Sequence, residues 1–156
     1  MGPFDESICD CCVCPMQCVL KQLAGRTDVT IFYIFEGLTG TLTDVDNFIA
    51  ALDISGSDII EFPISNICAV QIDGTFDFKL KPIQKSGGEC SCTEESTTNL
   101  AKSKIGASIA IIAGPFCEEG SIIDVGEGIV FIFDPAGNDT SAVPSCKIQS
   151  FGRGCG

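Results

Sequence analysis

The sequence has no histidine and only nine lysine and arginine residues. Without histidine, the chain lacks the commonest proton shuttle of enzymes, and a zinc site would need four thiolates. Acidic residues number 21, which gives a formal net charge of −12. The few basic residues are spread thinly, so the charge argues against nucleic acid and against an anionic membrane surface as partners.

Long apolar runs are also absent. No segment reaches the roughly eighteen apolar residues that a membrane span requires. The opening "MGPFDESICD" has neither the basic start nor the apolar core of a signal peptide, and Ser7 falls one place beyond the position that a myristoylation motif requires. Apolar residues nevertheless make up 45% of the chain, which is enough for a folded core in one ordinary domain or two small ones.

Cysteine, in contrast, is abundant. The chain has eleven, an odd number that leaves at least one thiol over or pairs it between chains. Five of them fall within ten residues near the N-terminus, at Cys9, Cys11, Cys12, Cys14 and Cys18. Such a content is typical of exported proteins in oxidising surroundings, yet no export signal is visible.

Three interpretations of the thiols compete. A zinc site finds one C-x-x-C arm, Cys11 to Cys14, but Cys90 and Cys92 are too closely spaced for a standard second arm. A thiol–disulfide enzyme would need a βαβ pattern or a base beside the cysteine, and neither is present. Cross-linking between chains fits a polar arm before any regular structure, and it predicts these intermolecular candidates: Cys9, Cys11, Cys12, Cys14, Cys18, Cys90, Cys92 and Cys155. Cys18 could instead be buried by its helix.

An internal repeat is indicated by matched turn residues. Gly40 and Asp44 match Gly120 and Asp124 at an offset of 80 in the sequence, and Asp53 and Pro63 match Asp134 and Pro144 after one extra residue. Each copy predicts a short helix followed by five strands. The alternative is that any two β-rich stretches align this well.

The repeat sets the predicted domain organisation. We expect a cysteine-rich arm over residues 1–14, a first unit over 15–83, a polar linker over 84–95 and a second unit over 96–156. Within the first unit, Val29–Phe35 reads as one buried strand, and "GTFDFKLKPIQ" alternates as one further strand could. Cys68, Cys117 and Cys146 lie in or beside predicted strands, and Cys68 is expected in the core.

The segment "LAGRTDVTIFYIFEGLTGTLTDVDNFIAAL", followed by "ISNICAVQI", resembles the Sm-like small β-barrel family, and the second copy does so more weakly. The resemblance implies a mainly β fold of two tandem five-stranded barrels, each preceded by a short helix. It also implies rings in which the fourth strand of one barrel pairs with the fifth strand of the next. The family's RNA loops correspond to Asp46–Asn47 and Asp73–Gly74, and in the second copy to residues 126–128 and 152–154. Each copy lacks half of the RNA signature, because Asp73 and Glu127 are acidic and Arg153 is the one suitable basic residue.

The segment "CDCCVCPMQCVLKQLAG" resembles small cysteine-rich coat, exosporium and appendage proteins of spore-forming bacteria. This resemblance implies synthesis in a mother cell without a signal peptide, followed by oxidation at the spore surface. Together the two resemblances predict a structural protein that assembles with itself, and with other cysteine-rich spore-surface proteins, into disulfide-linked rings or filaments. We expect no catalytic residues, metal or cofactor. The alternatives are an Sm-like RNA-binding ring and a zinc-thiolate scaffold.

Overall fold

The computed structural model describes residues 13–56, 58–79, 94–126, 128–152 and 154–155. We call residues 13–79 the first half and residues 94–155 the second half. The first half contains helix α1 (Val13–Leu23) and strands β1 (Val29–Phe32), β2 (Gly37–Asp46), β3 (Ile49–Asp53), β4 (Ile59–Pro63) and β5 (Ala69–Asp73). The second half contains helix α2 (Glu94–Ser103) and strands β6 (Ser108–Ala113), β7 (Phe116–Gly126), β8 (Ile129–Asp134), β9 (Asp139–Pro144) and β10 (Ser150–Gly152).

All ten strands form one antiparallel sheet in the order β10-β6-β7-β8-β9-β5-β1-β2-β3-β4. The mainly β class is therefore confirmed, but the sheet is open and neither half closes into a barrel of its own. Closure of the first half would require β4 to pair with β5. The outer side of β5 pairs instead with β9 of the second half, from Val70 opposite Ala142 to Asp73 opposite Asp139.

The two halves use the same strand order and the same local devices. Each long second strand carries a β-bulge, between Leu42 and Asp44 in β2 and between Ile122 and Asp124 in β7. A Cβ atom on Gly120 would lie 2.3 Å from the carbonyl oxygen of Phe133, and Gly40 has the same relation to Asp53. Only glycine fits such a close approach of two strands, so these positions bend both halves alike.

The register corrects one part of the predicted alignment. Gly40 faces the carbonyl of Asp53, and Gly120 faces that of Phe133, so Asp53 corresponds to Phe133 rather than to Asp134. Corresponding residues of the two halves differ by 80 in residue number through β8. They differ by 81 in β9, where Pro144 corresponds to Pro63. The extra residue of the second half therefore lies in the turn between β8 and β9.

Helix α1 packs one apolar face on the sheet. Met16, Val19, Leu20 and Leu23 follow the spacing of one helix face, and all four are buried. Gly25, with φ of 93°, ends the helix in a left-handed conformation, and its N–H donates to the carbonyl of Leu42 at 2.7 Å. None of the helices among the described residues is long and apolar enough to cross a membrane.

Residues 74–79 form no strand, so the extra strand predicted there is not found in its described part. Phe76 and Phe78 instead contact each other, with ring centroids 4.6 Å apart and ring planes tilted by 54°. Phe78 also contacts Phe131 of the second half at 4.6 Å. An alternating apolar pattern thus serves here to join the halves rather than to extend the sheet.

Candidate functional site

The two ends of the sheet are the fourth strand of the first half and the fifth strand of the second. Among the described residues, β4 pairs with β3 alone, and β10 pairs with β6 alone. Strands at the ends of a sheet present unpaired N–H and C=O groups that can pair with another chain. Within the ranges that the structure describes, the sheet therefore has two different open edges.

The exposure of β4 contrasts with that of its counterpart β9. Ile59 is 57% exposed, whereas Thr140, at the corresponding position of β9, is 1% exposed. The same holds for the other edge strand, since Val70 of β5 is 1% exposed and Phe151, its counterpart in β10, is only partly buried. The edge strands β4 and β10 are thus equivalent in position to β9 and β5, but no second neighbouring strand of the described residues covers their side chains.

The contact between β5 and β9 joins the halves, and we call it the seam. Its ladder is extended by the N–H of Gly74, which donates to the carbonyl of Asn138 at 2.6 Å, and by the hydroxyl of Thr140, which donates to the carbonyl of Gly74 at 2.6 Å. The two apolar clusters cross the seam as well. Ile129 and Phe131 pack with the first half, and Ala69 packs with the second.

One polar cluster lies beside the seam. The amide of Gln71, from β5, donates to Ser141 Oγ at 3.1 Å, to Asp139 Oδ1 at 3.3 Å and to Glu118 Oε2 at 3.4 Å. Asp134 adds a third carboxylate, and its oxygen lies within 4.8 Å of those of Glu118 and Asp139. The sequence interpretation placed Asp134 at a strand end and overlooked Glu118. The available signal was that Glu118 stands where the first half has Leu38.

Burial dominates the electrostatics of this cluster. Glu118 is 6% exposed, and burial raises its pKa to about 8, an effect that the neighbouring Asp139 and Asp134 reinforce. No thiol belongs to this group, which is the set of potential metal ligands that the described residues bring together. The zinc-thiolate alternative thus finds no thiol cluster in the described part of the chain.

Four of the described cysteines are disulfide-bonded. Cys117 and Cys155 form a disulfide with a Cα–Cα distance of 5.6 Å, which fastens the C-terminal residues to β7. Cys14 and Cys146 are disulfide-bonded as well. The candidate Cys155 therefore has an intrachain partner, and it could cross-link a neighbour only by exchange of that bond.

Cys18 and Cys68 carry free thiols. Cys18 lies exposed on α1, so its helical position leaves the thiol accessible. Cys68 is buried, as expected, and burial raises the pKa of its thiol. The remaining cross-link candidates, Cys9, Cys11, Cys12, Cys90 and Cys92, lie outside the described residues.

The Sm-like resemblance assigns RNA loops to four positions, and the structure describes two of them in full. Asn47 and Phe48 form the turn between β2 and β3, both with positive φ. Asp73 and Gly74 end β5, where Gly74 is bound into the seam. Glu127 and Arg153 lie outside the described residues.

Comparison with known proteins adds no relative. No protein-family model matches this chain, and neither curated proteins nor solved structures give a significant match. Functional inference therefore depends on the edges, the seam and the thiols themselves.

Proposed function

We propose that this chain is a structural protein that assembles head to tail, with β10 of one copy pairing with β4 of the next. Each half is then an Sm-like five-stranded unit, and disulfides between copies make the assembly durable. The observation that carries the proposal is the seam. There, a fifth strand and a fourth strand of the same two kinds already pair within one chain.

The seam supplies the expected register between copies. Within the chain, Val70 lies opposite Ala142, and Gln71 lies opposite Ser141. Shifting both partners by the repeat offset places Phe151 opposite Glu61 and Gly152 opposite Ile60. Pairing in this register would cover Ile59, which is now 57% exposed. Burial of such apolar side chains favours association by about 25 cal/mol per Å² of apolar surface.

The pairing also leaves suitable backbone groups free. The N–H of Ile54 donates to the carbonyl of Asp58 at 3.0 Å, which marks this pair as hydrogen-bonded in the β3–β4 ladder. Hydrogen-bonded and non-bonded pairs alternate in antiparallel sheets. The N–H groups of Ile59 and Glu61 therefore point away from β3, toward an incoming strand.

Two different edges make a heterologous contact. Such contacts close into rings when the rotation from one copy to the next allows it, and otherwise they form open filaments. A ring of roughly three chains would contain about six five-stranded units. Cross-links between copies then slow dissociation. Cys18 is one available thiol, since it is free and exposed. The scarcity of lysine and arginine in this acidic chain favours self-association over RNA binding as the role of the edges.

A surface exposed to harsh conditions suits a protein of this kind. The cysteine content and the resemblance of the N-terminal segment to spore-surface proteins place the assembly, in this proposal, on a bacterial spore. Other cysteine-rich proteins of that surface would be further disulfide partners. The setting supplies the oxidising conditions that the thiols need.

The proposal is tested with Glu61→Pro, which removes an outward N–H without removing a bond to β3, and with Glu61→Ala as the matched control. Purified without reductant, the wild-type protein and Glu61→Ala are expected to form rings or filaments in negative-stain electron micrographs. Glu61→Pro is expected to remain monomeric in light scattering. Non-reducing gels should show ladders for the assembled proteins that collapse on addition of reductant.

Two results would overturn the proposal. One is a wild-type protein that stays monomeric with and without reductant. The other is a Glu61→Pro protein that assembles as the control does, since pairing through β4 would then be unnecessary. Assemblies that persist after addition of reductant would agree with pairing through the edges, but they would contradict the proposal that disulfides hold the copies together.

A further inference from the structure

Three carboxylates from three different strands converge beside the seam. Glu118 lies in β7, Asp134 ends β8 and Asp139 begins β9, and one oxygen of each lies within 4.8 Å of the others. Within the described ranges, the ion pair is Arg26–Asp28, so no lysine or arginine of those ranges pairs with the three carboxylates. The described part of the chain therefore places their negative charges together without a basic partner.

The Glu118 carboxylate is incompletely satisfied. Its Oε2 atom accepts a hydrogen bond from Ser141 Oγ at 2.5 Å and a longer one from Gln71 Nε2 at 3.4 Å. Its Oε1 atom has no hydrogen-bond partner, and solvent cannot supply one readily because the residue is only 6% exposed. A buried carboxylate oxygen without a partner is costly, and either a proton or a bound cation would neutralise it.

The two aspartates each keep one oxygen available on the same side. Asp134 Oδ1 accepts the N–H of Ala136 at 2.9 Å, and Asp139 Oδ1 accepts from Gln71. Their Oδ2 atoms both face Gly137, where a Cβ atom would lie 3.1 Å and 2.6 Å away, respectively. Glycine at this position leaves room for the two oxygens to approach one another.

We propose that Glu118, Asp134 and Asp139 bind a hard divalent cation, with Ca²⁺ as the best fit. All the donors are oxygens, which selects Ca²⁺ or Mg²⁺ over zinc or copper. Ca²⁺ accepts irregular coordination by carboxylates, whereas Mg²⁺ demands a near-ideal octahedron and gives up its waters reluctantly. The three carboxylate oxygens lie within 4.8 Å of one another, which is close enough for all three to reach one Ca²⁺ ion.

The cation would act on the link between the halves. Gln71 belongs to β5 and already holds Asp139 and Glu118 from the second half. An ion bound to those carboxylates would fix the face of β7, β8 and β9 against which Gln71 packs. The site is independent of the proposed assembly, because it lies at the internal seam and not at either open edge.

The first half has no such site and therefore offers controls. Leu38 stands at the position of Glu118, and Ile54 at that of Asp134. Asp53 nevertheless caps its own turn as Asp134 does, accepting the N–H of Gly56 at 2.7 Å. Asp53→Asn thus removes a turn-capping charge without removing a proposed ligand.

The experiment titrates the full chain, stripped of metal by a chelating resin, with CaCl₂ and separately with MgCl₂ in a calorimeter. We expect one Ca²⁺ per chain with an affinity in the millimolar range or tighter, weaker binding of Mg²⁺, and a higher melting temperature with Ca²⁺. Glu118→Gln and Asp134→Asn should weaken Ca²⁺ binding by roughly 10-fold or more. Asp53→Asn should bind as the wild-type protein does.

Glu118→Leu provides a second test in case Glu118→Gln and Asp134→Asn do not fold stably. It installs the residue of the first half, so it should fold without metal and show no change of melting temperature with Ca²⁺. The proposal is overturned if the wild-type protein takes up no Ca²⁺ at millimolar concentration. It is equally overturned if Glu118→Gln binds Ca²⁺ as tightly as the wild-type protein, and the cluster would then be a pair of carboxyls sharing a proton.

Discussion

Cys18 and Cys68 differ in their surroundings although both carry free thiols. Cys18 lies exposed on helix α1, with its sulfur 3.8 Å from the amide of Gln22. Cys68 is 8% exposed and packs so closely on Gly114 that a Cβ there would lie 2.8 Å from its sulfur. Since the thiolate is the reactive form, burial that raises the pKa of Cys68 also makes this thiol inert.

We predict that alkylation of the folded protein at mildly alkaline pH modifies Cys18 and spares Cys68. Peptide mass spectrometry after iodoacetamide treatment measures both in one sample. In urea, both should react at similar rates, because unfolding removes the burial of Cys68. Fast modification of Cys68 in the folded protein would contradict the prediction and would mean that the packing of Cys68 against Gly114 opens readily.

At the scale of elements, the bends of β2 and β7 depend on one glycine each. We predict that Gly120→Ala destabilises the protein by about 2 kcal/mol, because the added methyl group would overlap the backbone of β8 and force the strands apart. The midpoint of urea unfolding, followed by circular dichroism, measures this loss.

The matched control for this change is Gly152→Ala in β10, where a Cβ atom meets nothing within 4 Å. Gly152→Ala should alter stability by less than about 0.5 kcal/mol. Equal effects of the two substitutions would show that the close approach at Gly120 is relieved without cost, and the account of the bend would be wrong.

Most strands could be predicted from the sequence because their side chains alternate or form short apolar runs. Strands β6 and β8, Ser108–Ala113 and Ile129–Asp134, are short apolar runs of this kind. The predicted strand Val29–Phe35 ends three residues early, since the N–H of Tyr33 donates to the carbonyl of Glu36 in a turn. Phe35 in this turn is 79% exposed, and an apolar run alone does not distinguish such a turn from a strand.

The candidate cation site could not be predicted in the same way. Its three carboxylates come from three strands, and only the register of β7, β8 and β9 brings them together. Glu118 lies on the inward face of β7 between Phe116 and Ile122, so alternation predicts an apolar residue there. A buried glutamate that breaks this alternation was the signal, and the repeat comparison with Leu38 makes it visible.

At the scale of the whole molecule, the two halves share one sheet and do not behave as independent domains. The sheet passes through both, and Phe131 of the second half packs in the cluster of the first. The described halves therefore form one continuous sheet with the β4 edge at one end and the β10 edge at the other. Assembly built from such segments has a direction, and its two growing ends differ.

This polarity gives the last prediction. A Glu61→Pro chain has a blocked β4 edge but keeps β10, so it can join the open β4 edge of a wild-type chain and then accepts no further copy. Added at a small mole fraction during assembly, it should shorten wild-type filaments, or reduce the number of closed rings, in proportion to the fraction added. Glu61→Ala should leave length and number unchanged, as measured on negative-stain micrographs. If Glu61→Pro left filament length and ring number at the values of the wild-type protein, growth would not pass through the β4 edge, and the head-to-tail arrangement would be wrong.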